Sequence, residues 1–132
     1  MLEPIYNLKN DKHRIATIQE ASLDKASEGG LKIENNLLFG SPEWFEAIEA
    51  GQIKKHIIKG KISKVYMSGH NDYPQFEIDS SEGKTNWTRN GNENAYKVGK
   101  DVELIYVEQK FKKPSFQQIS NCVLQINIDT NN

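Results

Sequence analysis

Beyond residue 53 the sequence consists of short segments in which apolar and polar residues alternate, separated by sequences typical of turns. A period of two predicts β-strands that bury one face. Glycine or asparagine at positions 83, 90 and 91 tolerates the positive φ angles that tight turns require. The pattern predicts a mostly β fold with strands over 57–67, 75–79, 84–89, 102–109 and 122–128. The predicted core residues include Ile62, Phe76, Ile78 and Leu104.

The first of these predicted strands changes phase along its length. Ile58, Gly60 and Ile62 alternate on one side, whereas Val65 and Met67 continue on that side only if one residue is skipped. Because strand side chains alternate strictly, the skip predicts a bulge or a sharp bend. Gly60 is a plausible residue to permit it, since glycine inside a strand often marks a bend or a close backbone approach.

One short helix is predicted before the strands. Ser41 is a good N-cap residue, and Pro42 suits the first helical position because its missing N–H is not needed there. Trp44 and Ile48 lie four residues apart, so they share one helix face. The sequence therefore predicts a helix at about 42–50 that buries both side chains.

The first forty residues give weaker signals. Residues 1–14 are mostly polar and predict an irregular arm. Residues 15–23 and 31–39 are predicted to pair as a hairpin-like segment through the polar, glycine-ended connection 24–30. A helix over 15–27 is the alternative, because the apolar positions there fit neither period cleanly.

Composition indicates a folded chain and suggests a compartment. Hydrophobic residues make up 36% of the chain and charged residues 27%, which is not the composition of a disordered protein. Cys122 is the single cysteine, so an internal disulfide is impossible and a reducing compartment is the default expectation. The sequence has no secretory signal pattern and no apolar run long enough to span a membrane. We therefore predict a cytoplasmic protein.

The segment from about 56 to 128 resembles an OB-fold barrel. The resemblance rests on Gly60-Lys61-Ile62 in a long bent strand, on the sequence from Phe76 to Lys84, and on Val98-Gly99-Lys100-Asp101-Val102 at the start of a later strand. It implies a small five-stranded barrel over 53–128 within a single domain of residues 1–132. The hairpin-like segment and the short helix, over 15–52, would precede the barrel.

The OB resemblance also suggests a ligand, because such barrels commonly bind single-stranded nucleic acid by stacking bases and tracking phosphates. Residues 52–132 carry twelve Lys and Arg against nine Asp and Glu, whereas residues 1–51 carry five against nine. This split can create a basic face. The predicted nucleic-acid-binding residues are Lys59, Lys61, Lys64, Tyr66, Trp87, Arg89, Lys110, Phe111 and Lys112.

A protein partner or a small ligand is the alternative, and Trp44, Phe45, Tyr73 and Pro74 are the candidates for a partly exposed aromatic patch, although core packing is favoured for Trp44. Catalysis is not predicted. The three histidines lack metal-ligand spacing, and Cys122 opens an apolar strand without a neighbouring base, so a buried inert thiol is expected. We predict a non-enzymatic binding module without a cofactor or a metal.

Overall fold

A computed structural model describes residues 1–70, 72–113 and 118–131. Among these residues, six antiparallel strands form one sheet, accompanied by two α-helices. The strands are β1 (Leu2–Asn7), β2 (His56–Ser68), β3 (Tyr73–Ser80), β4 (Gly83–Thr88), β5 (Asp101–Lys110) and β6 (Ile119–Asp129), and the helices are α1 (Lys12–Leu23) and α2 (Pro42–Glu49). The strand order in the sheet is β1-β6-β5-β2-β3-β4. The prediction of a mostly β fold is confirmed.

The described residues group into two compact units. The first unit lies within Met1–Asn7, Ile57–Ile105 and Leu124–Asn132, and the second lies within Leu8–His56 and Tyr106–Val123. The core of the first unit includes the four residues predicted from the sequence, Ile62, Phe76, Ile78 and Leu104, together with Tyr6, Tyr96, Val102, Ile126 and Ile128. The core of the second unit contains Leu8, Leu31, Phe39, Trp44, Ala47, Ile48, Val107, Cys122 and Val123. That residues 1–132 act as a single domain stays a prediction.

The predicted bulge in the first long strand is confirmed. The pairing of β2 with β3 shifts register between Ile62 and Lys64. Gly60 permits a close approach, because a Cβ atom at this position would lie 2.2 Å from the carbonyl oxygen of Asp79. The predicted inward phase does not extend to the end of the strand, since Met67 is 42% exposed.

The five strands predicted over 53–128 are present as β2 to β6, but they do not close into the predicted OB-like barrel. The sheet has a sixth strand, β1, and is open, with β1 and β4 at its two edges. β1 pairs with β6 and so occupies the edge of β6 that would have to pair with another strand to close a barrel. The irregular arm predicted for residues 1–14 is therefore a strand over most of its first half. Pro4 lies at an irregularity in the β1–β6 register, and an edge strand tolerates proline.

The predicted hairpin-like segment is also wrong, because α1 occupies residues 12–23. The alternative prediction, a helix over 15–27, was correct in type, although α1 begins and ends a few residues earlier. Asp11 caps the helix, its carboxylate accepting a hydrogen bond from the Arg14 amide at 3.2 Å. At the other end Lys112 Nζ donates to the carbonyl oxygens of Ala21 at 2.6 Å and Asp24 at 2.8 Å, as expected for a cation near a helix C-terminus.

The helix predicted at about 42–50 is confirmed as α2. Ser41 Oγ accepts a hydrogen bond from the Trp44 amide at 3.2 Å, and Pro42 occupies the first turn. Trp44 is fully buried and Ile48 is 3% exposed. The Trp44 ring lies 4.7 Å from that of Phe39, which makes it the centre of an aromatic cluster in the second unit.

Candidate functional site

The residues predicted to bind nucleic acid fall in both units. Lys59, Lys61, Lys64, Tyr66, Trp87 and Arg89 belong to the first unit, and Lys110, Phe111 and Lys112 belong to the second. Phe111 is half-buried and forms an isolated β-bridge with Leu31. Its backbone is thus tied to the framework of the second unit.

Most of the predicted phosphate-binding lysines already have partners. Lys59 Nζ lies 3.6 Å from a carboxylate oxygen of Glu103, and Lys61 Nζ lies 2.7 Å from one of Asp101. Lys110 Nζ lies 3.8 Å from Glu34, and Lys112 caps α1. Such exposed pairs add little stability, but each places a negative charge beside the positive one. The geometry therefore weakens the argument for a continuous basic track, and the nucleic-acid role of these residues stays a prediction.

The two aromatic residues proposed to stack on bases in the first unit lie on opposite faces of the sheet. Trp87 is directly opposite Phe76, which is fully buried, whereas Tyr66 is opposite Gln75. Residues directly opposite each other share a face, and successive residues alternate between faces. Trp87 is thus half-buried on the core side, and its Nε1 donates to Thr85 Oγ1 at 2.8 Å.

An aromatic surface in the first unit lies where β2 ends and β3 begins. We call Tyr66, Met67, Tyr73 and Arg89 the tyrosine patch. Tyr73 is 61% exposed, and Arg89 Nη2 donates to the carbonyl oxygen of Tyr66 at 3.1 Å and contacts Met67 Sδ. Tyrosine, methionine and arginine are enriched at protein interfaces.

The four residues predicted as candidates for an aromatic patch, Trp44, Phe45, Tyr73 and Pro74, are divided between the two units, and core packing, the alternative favoured for Trp44, is confirmed. Trp44 is fully buried, and both it and Phe45 belong to the second unit, whereas Tyr73 and Pro74 belong to the first. Burial of Trp44 follows from its position on the inward face of α2. Tyr73 is the member of the predicted set that remains strongly exposed.

A polar cleft of about 300 Å³ opens in the second unit beside Trp44. Trp44 Nε1 donates to Gln109 Oε1 at 3.3 Å, and Gln109 Nε2 in turn donates to the carbonyl oxygen of Lys32 at 3.0 Å. The cleft is lined by charges of both signs, including the paired Glu34 and Lys110.

A smaller pocket of about 160 Å³ in the second unit is mainly apolar, and we call it the Arg14 pocket. Its walls come from α1, from the segment that follows α1, from the end of β5 and from the start of β6. The lining side chains that matter here are Arg14, Ile18, Leu31, Phe39, Phe111 and Cys122. This pocket was not predicted from the sequence, because an irregular arm was expected at residue 14. The sequence did contain a signal for the helix that carries Arg14, because Asp11 is a favourable N-cap residue and Arg14 and Ile18 are spaced by one helical turn.

Cys122 is buried, as predicted. Burial raises the pKa of its thiol, while a hydrogen bond with Ser120 and the charge of Arg14 act in the opposite direction. A raised pKa leaves less thiolate, the reactive form, at neutral pH.

We therefore expect the folded protein to react with the thiol reagent DTNB at pH 8 at least about tenfold more slowly than the urea-unfolded protein. The absorbance of the released thiolate measures both rates. Free cysteine serves as the control for reagent quality in each buffer. Equal rates in the folded and unfolded states would contradict the burial of this thiol.

Among the described ranges 1–70, 72–113 and 118–131, no group of three or more His, Cys, Asp or Glu residues is arranged to hold a metal ion. Within the same ranges, the helices are too short or too polar to cross a membrane.

The family model for Immunity protein RhsI2 matches residues 3–130. This match covers nearly the whole chain, so the chain belongs to the RhsI2 immunity protein family. No curated protein matches the chain.

Proposed function

We propose that this protein binds its cognate toxin and blocks the toxin by direct contact. The observation that carries the proposal is the family match over residues 3–130. An immunity protein that acts in this way needs a surface that recognises one protein, and it needs no catalytic group. The prediction of a protein partner, which the sequence analysis left as the alternative, is favoured over nucleic acid.

The described surface supports a protein ligand better than a nucleic acid. Lys59, Lys61 and Lys110 each lie beside a carboxylate, which reduces the positive potential that phosphates would require. Trp87 lies on the core side of β4, so its ring is poorly placed for stacking on a base that approaches from the face of Tyr66. The chain as a whole has a formal net charge of −1.

The proposal is tested by mixing the purified protein with the purified cognate toxin. We expect a stoichiometric complex in size-exclusion chromatography with light scattering, together with loss of toxin activity in proportion to the complex formed. Cells that produce the toxin are expected to survive when this protein is co-produced.

A single-stranded oligonucleotide of about 20 nucleotides is the matched competitor in the same titration. No oligonucleotide binding is expected at physiological salt. An affinity for the oligonucleotide that falls steeply with salt and is weakened by Trp87→Ala, without a toxin complex, would overturn the proposal in favour of nucleic-acid binding.

We retain the cytoplasmic location as part of the proposal. It rests on the single cysteine, Cys122, which excludes an internal disulfide and suits a reducing compartment. Fractionation of cells that produce the untagged protein, followed by immunoblotting, tests the location independently of toxin binding.

A further inference from the structure

We propose that the Arg14 pocket receives one apolar side chain of the toxin, about the size of a benzene ring, and that a neighbouring carboxylate of the toxin pairs with Arg14. This inference rests on the proposed function, because the occupant belongs to the toxin. It adds the location of a central contact and the chemistry of the partner surface.

The size and lining of the pocket define the apolar part of the occupant. The pocket holds about 160 Å³, and Leu31, Phe39 and Cys122 form a largely buried apolar floor. An apolar protein cavity of about 150 Å³ stays dry and binds benzene. A phenylalanine or leucine side chain would therefore fit the pocket by volume, and its insertion would remove the apolar lining from water, as at the centre of protein interfaces.

The pocket is held open by the packing of its walls. A Cβ atom on Gly30 would lie 2.5 Å from the backbone nitrogen of Ser22, so the segment after α1 runs directly against the helix. Ser22 Oγ fixes this approach by accepting a hydrogen bond from the Leu31 amide at 2.9 Å and donating to the carbonyl oxygen of Ile18 at 2.7 Å. Because the walls of the pocket are already ordered before binding, the free energy of binding is not reduced by the cost of ordering them.

The charge of Arg14 defines the polar part of the occupant. Arg14 is the charged residue among the described residues that line the pocket, and it lies one helical turn from Ile18. Its guanidinium forms no hydrogen bond or ion pair with any residue of the described ranges, although its backbone amide bonds to Asp11. A half-buried guanidinium beside an apolar floor favours a carboxylate partner and disfavours a cationic one.

The cleft beside Trp44 and the tyrosine patch are less suited to such a contact. The cleft beside Trp44 is more polar, and two of its charged lining residues, Glu34 and Lys110, already pair with each other. In the tyrosine patch, the Arg89 guanidinium already donates to the carbonyl oxygen of Tyr66. The Arg14 pocket combines an apolar floor with a cation that has no ion-pair partner in the described part of the chain.

The decisive variant is Arg14→Glu, with Lys12→Glu as its matched control. Both substitutions reverse one charge in the first turn of α1, where glutamate is favourable to the helix. We expect Arg14→Glu to weaken toxin binding at least about tenfold by isothermal titration calorimetry, and Lys12→Glu to change it less than about twofold. Thermal unfolding monitored by circular dichroism verifies that both variants are folded.

A second variant fills the pocket without changing a charge. Ser120→Ile adds a branched side chain at a half-buried lining position of β6, and it is expected to weaken toxin binding by a similar factor. Tyr73→Ala serves as the control in the tyrosine patch and should leave the affinity close to that of the unsubstituted protein. Loss of binding in Tyr73→Ala with normal binding in Arg14→Glu and Ser120→Ile would overturn the inference and place the contact at the tyrosine patch.

A probe experiment tests the pocket without the toxin. We expect 3-phenylpropionate to shift the amide NMR resonances of Leu31, Phe39 and Cys122 in a saturable manner. Benzylamine, which has a ring and a positive charge, should shift them less, and acetate, which lacks the ring, should not shift them. Unchanged resonances with 3-phenylpropionate would overturn the inference.

The outcomes separate the two proposals. If the unsubstituted protein forms no toxin complex, the proposed function fails and the docking inference fails with it. If the complex forms and both pocket variants bind normally, the docking inference fails alone and the proposed function stands.

Discussion

Trp44→Ala is expected to lower the free energy of unfolding by about 3–5 kcal/mol, which is the usual cost of replacing a fully buried tryptophan by alanine. The Trp44 ring packs against Phe39 at 4.7 Å and Phe45 at 5.1 Å between ring centroids. Its Nε1 donates to Gln109 Oε1, so the substitution also leaves this acceptor without its donor. The second unit would lose its largest fully buried side chain.

Urea unfolding monitored by far-ultraviolet circular dichroism measures this loss. Trp87→Ala is the matched control because it removes the other tryptophan, which is half-buried on edge strand β4. We expect its effect on the unfolding free energy to be less than half that of Trp44→Ala. Equal losses in the two variants would contradict the central position of Trp44 in the second unit.

The fold from residue 41 onward was largely predictable because its signals are local. Alternation identified the buried faces of β3 and β5, and the skipped phase after Ile62 located the β-bulge. The capping residues Ser41 and Pro42 fixed the start of α2. Each signal depends on residues within a few positions of one another, where steric and hydrogen-bonding preferences act directly.

The errors in the first half have a common physical cause, since the deciding interactions there are distant in sequence. β1 exists because it pairs with β6 at the other end of the chain, and Pro4 argues locally against a strand. α1 is weakly amphipathic, and its C-terminus is capped by Lys112, which lies 88 residues from Asp24 in the sequence. The spacing of apolar residues within one segment contains no information about such contacts.

The candidate site depends on contacts that are distant in sequence. Lys112 was predicted to bind nucleic acid, which stays a prediction, and its ammonium group also caps α1, a contact that no local pattern indicates. Arg14 was placed in an irregular arm, whereas it lines a pocket built from four segments of the second unit. A pocket of this kind depends on how segments meet, so composition and spacing reveal its residues only after the helix is recognised.

Gly30→Ala is expected to lower the free energy of unfolding by about 2–5 kcal/mol. Two costs add in this variant. The residue has φ +94°, where an L-side chain costs about 1–2 kcal/mol, and its Cβ would overlap the backbone of Ser22, which adds about 1–3 kcal/mol. Backbone atoms of a helix cannot move aside as the end of a flexible side chain can.

Gly99→Ala separates these two costs, because Gly99 has the same φ of +94° but no atom within 4 Å of the added Cβ. It should lose about 1–2 kcal/mol, so the difference between the two variants measures the steric overlap alone. Urea unfolding of both proteins gives this difference. Because Gly30 also lines the Arg14 pocket, any folded Gly30→Ala protein should bind toxin more weakly than Gly99→Ala. Equal unfolding free energies in the two variants would show that the segment does not pack directly against α1, and the preformed pocket would lose its structural basis.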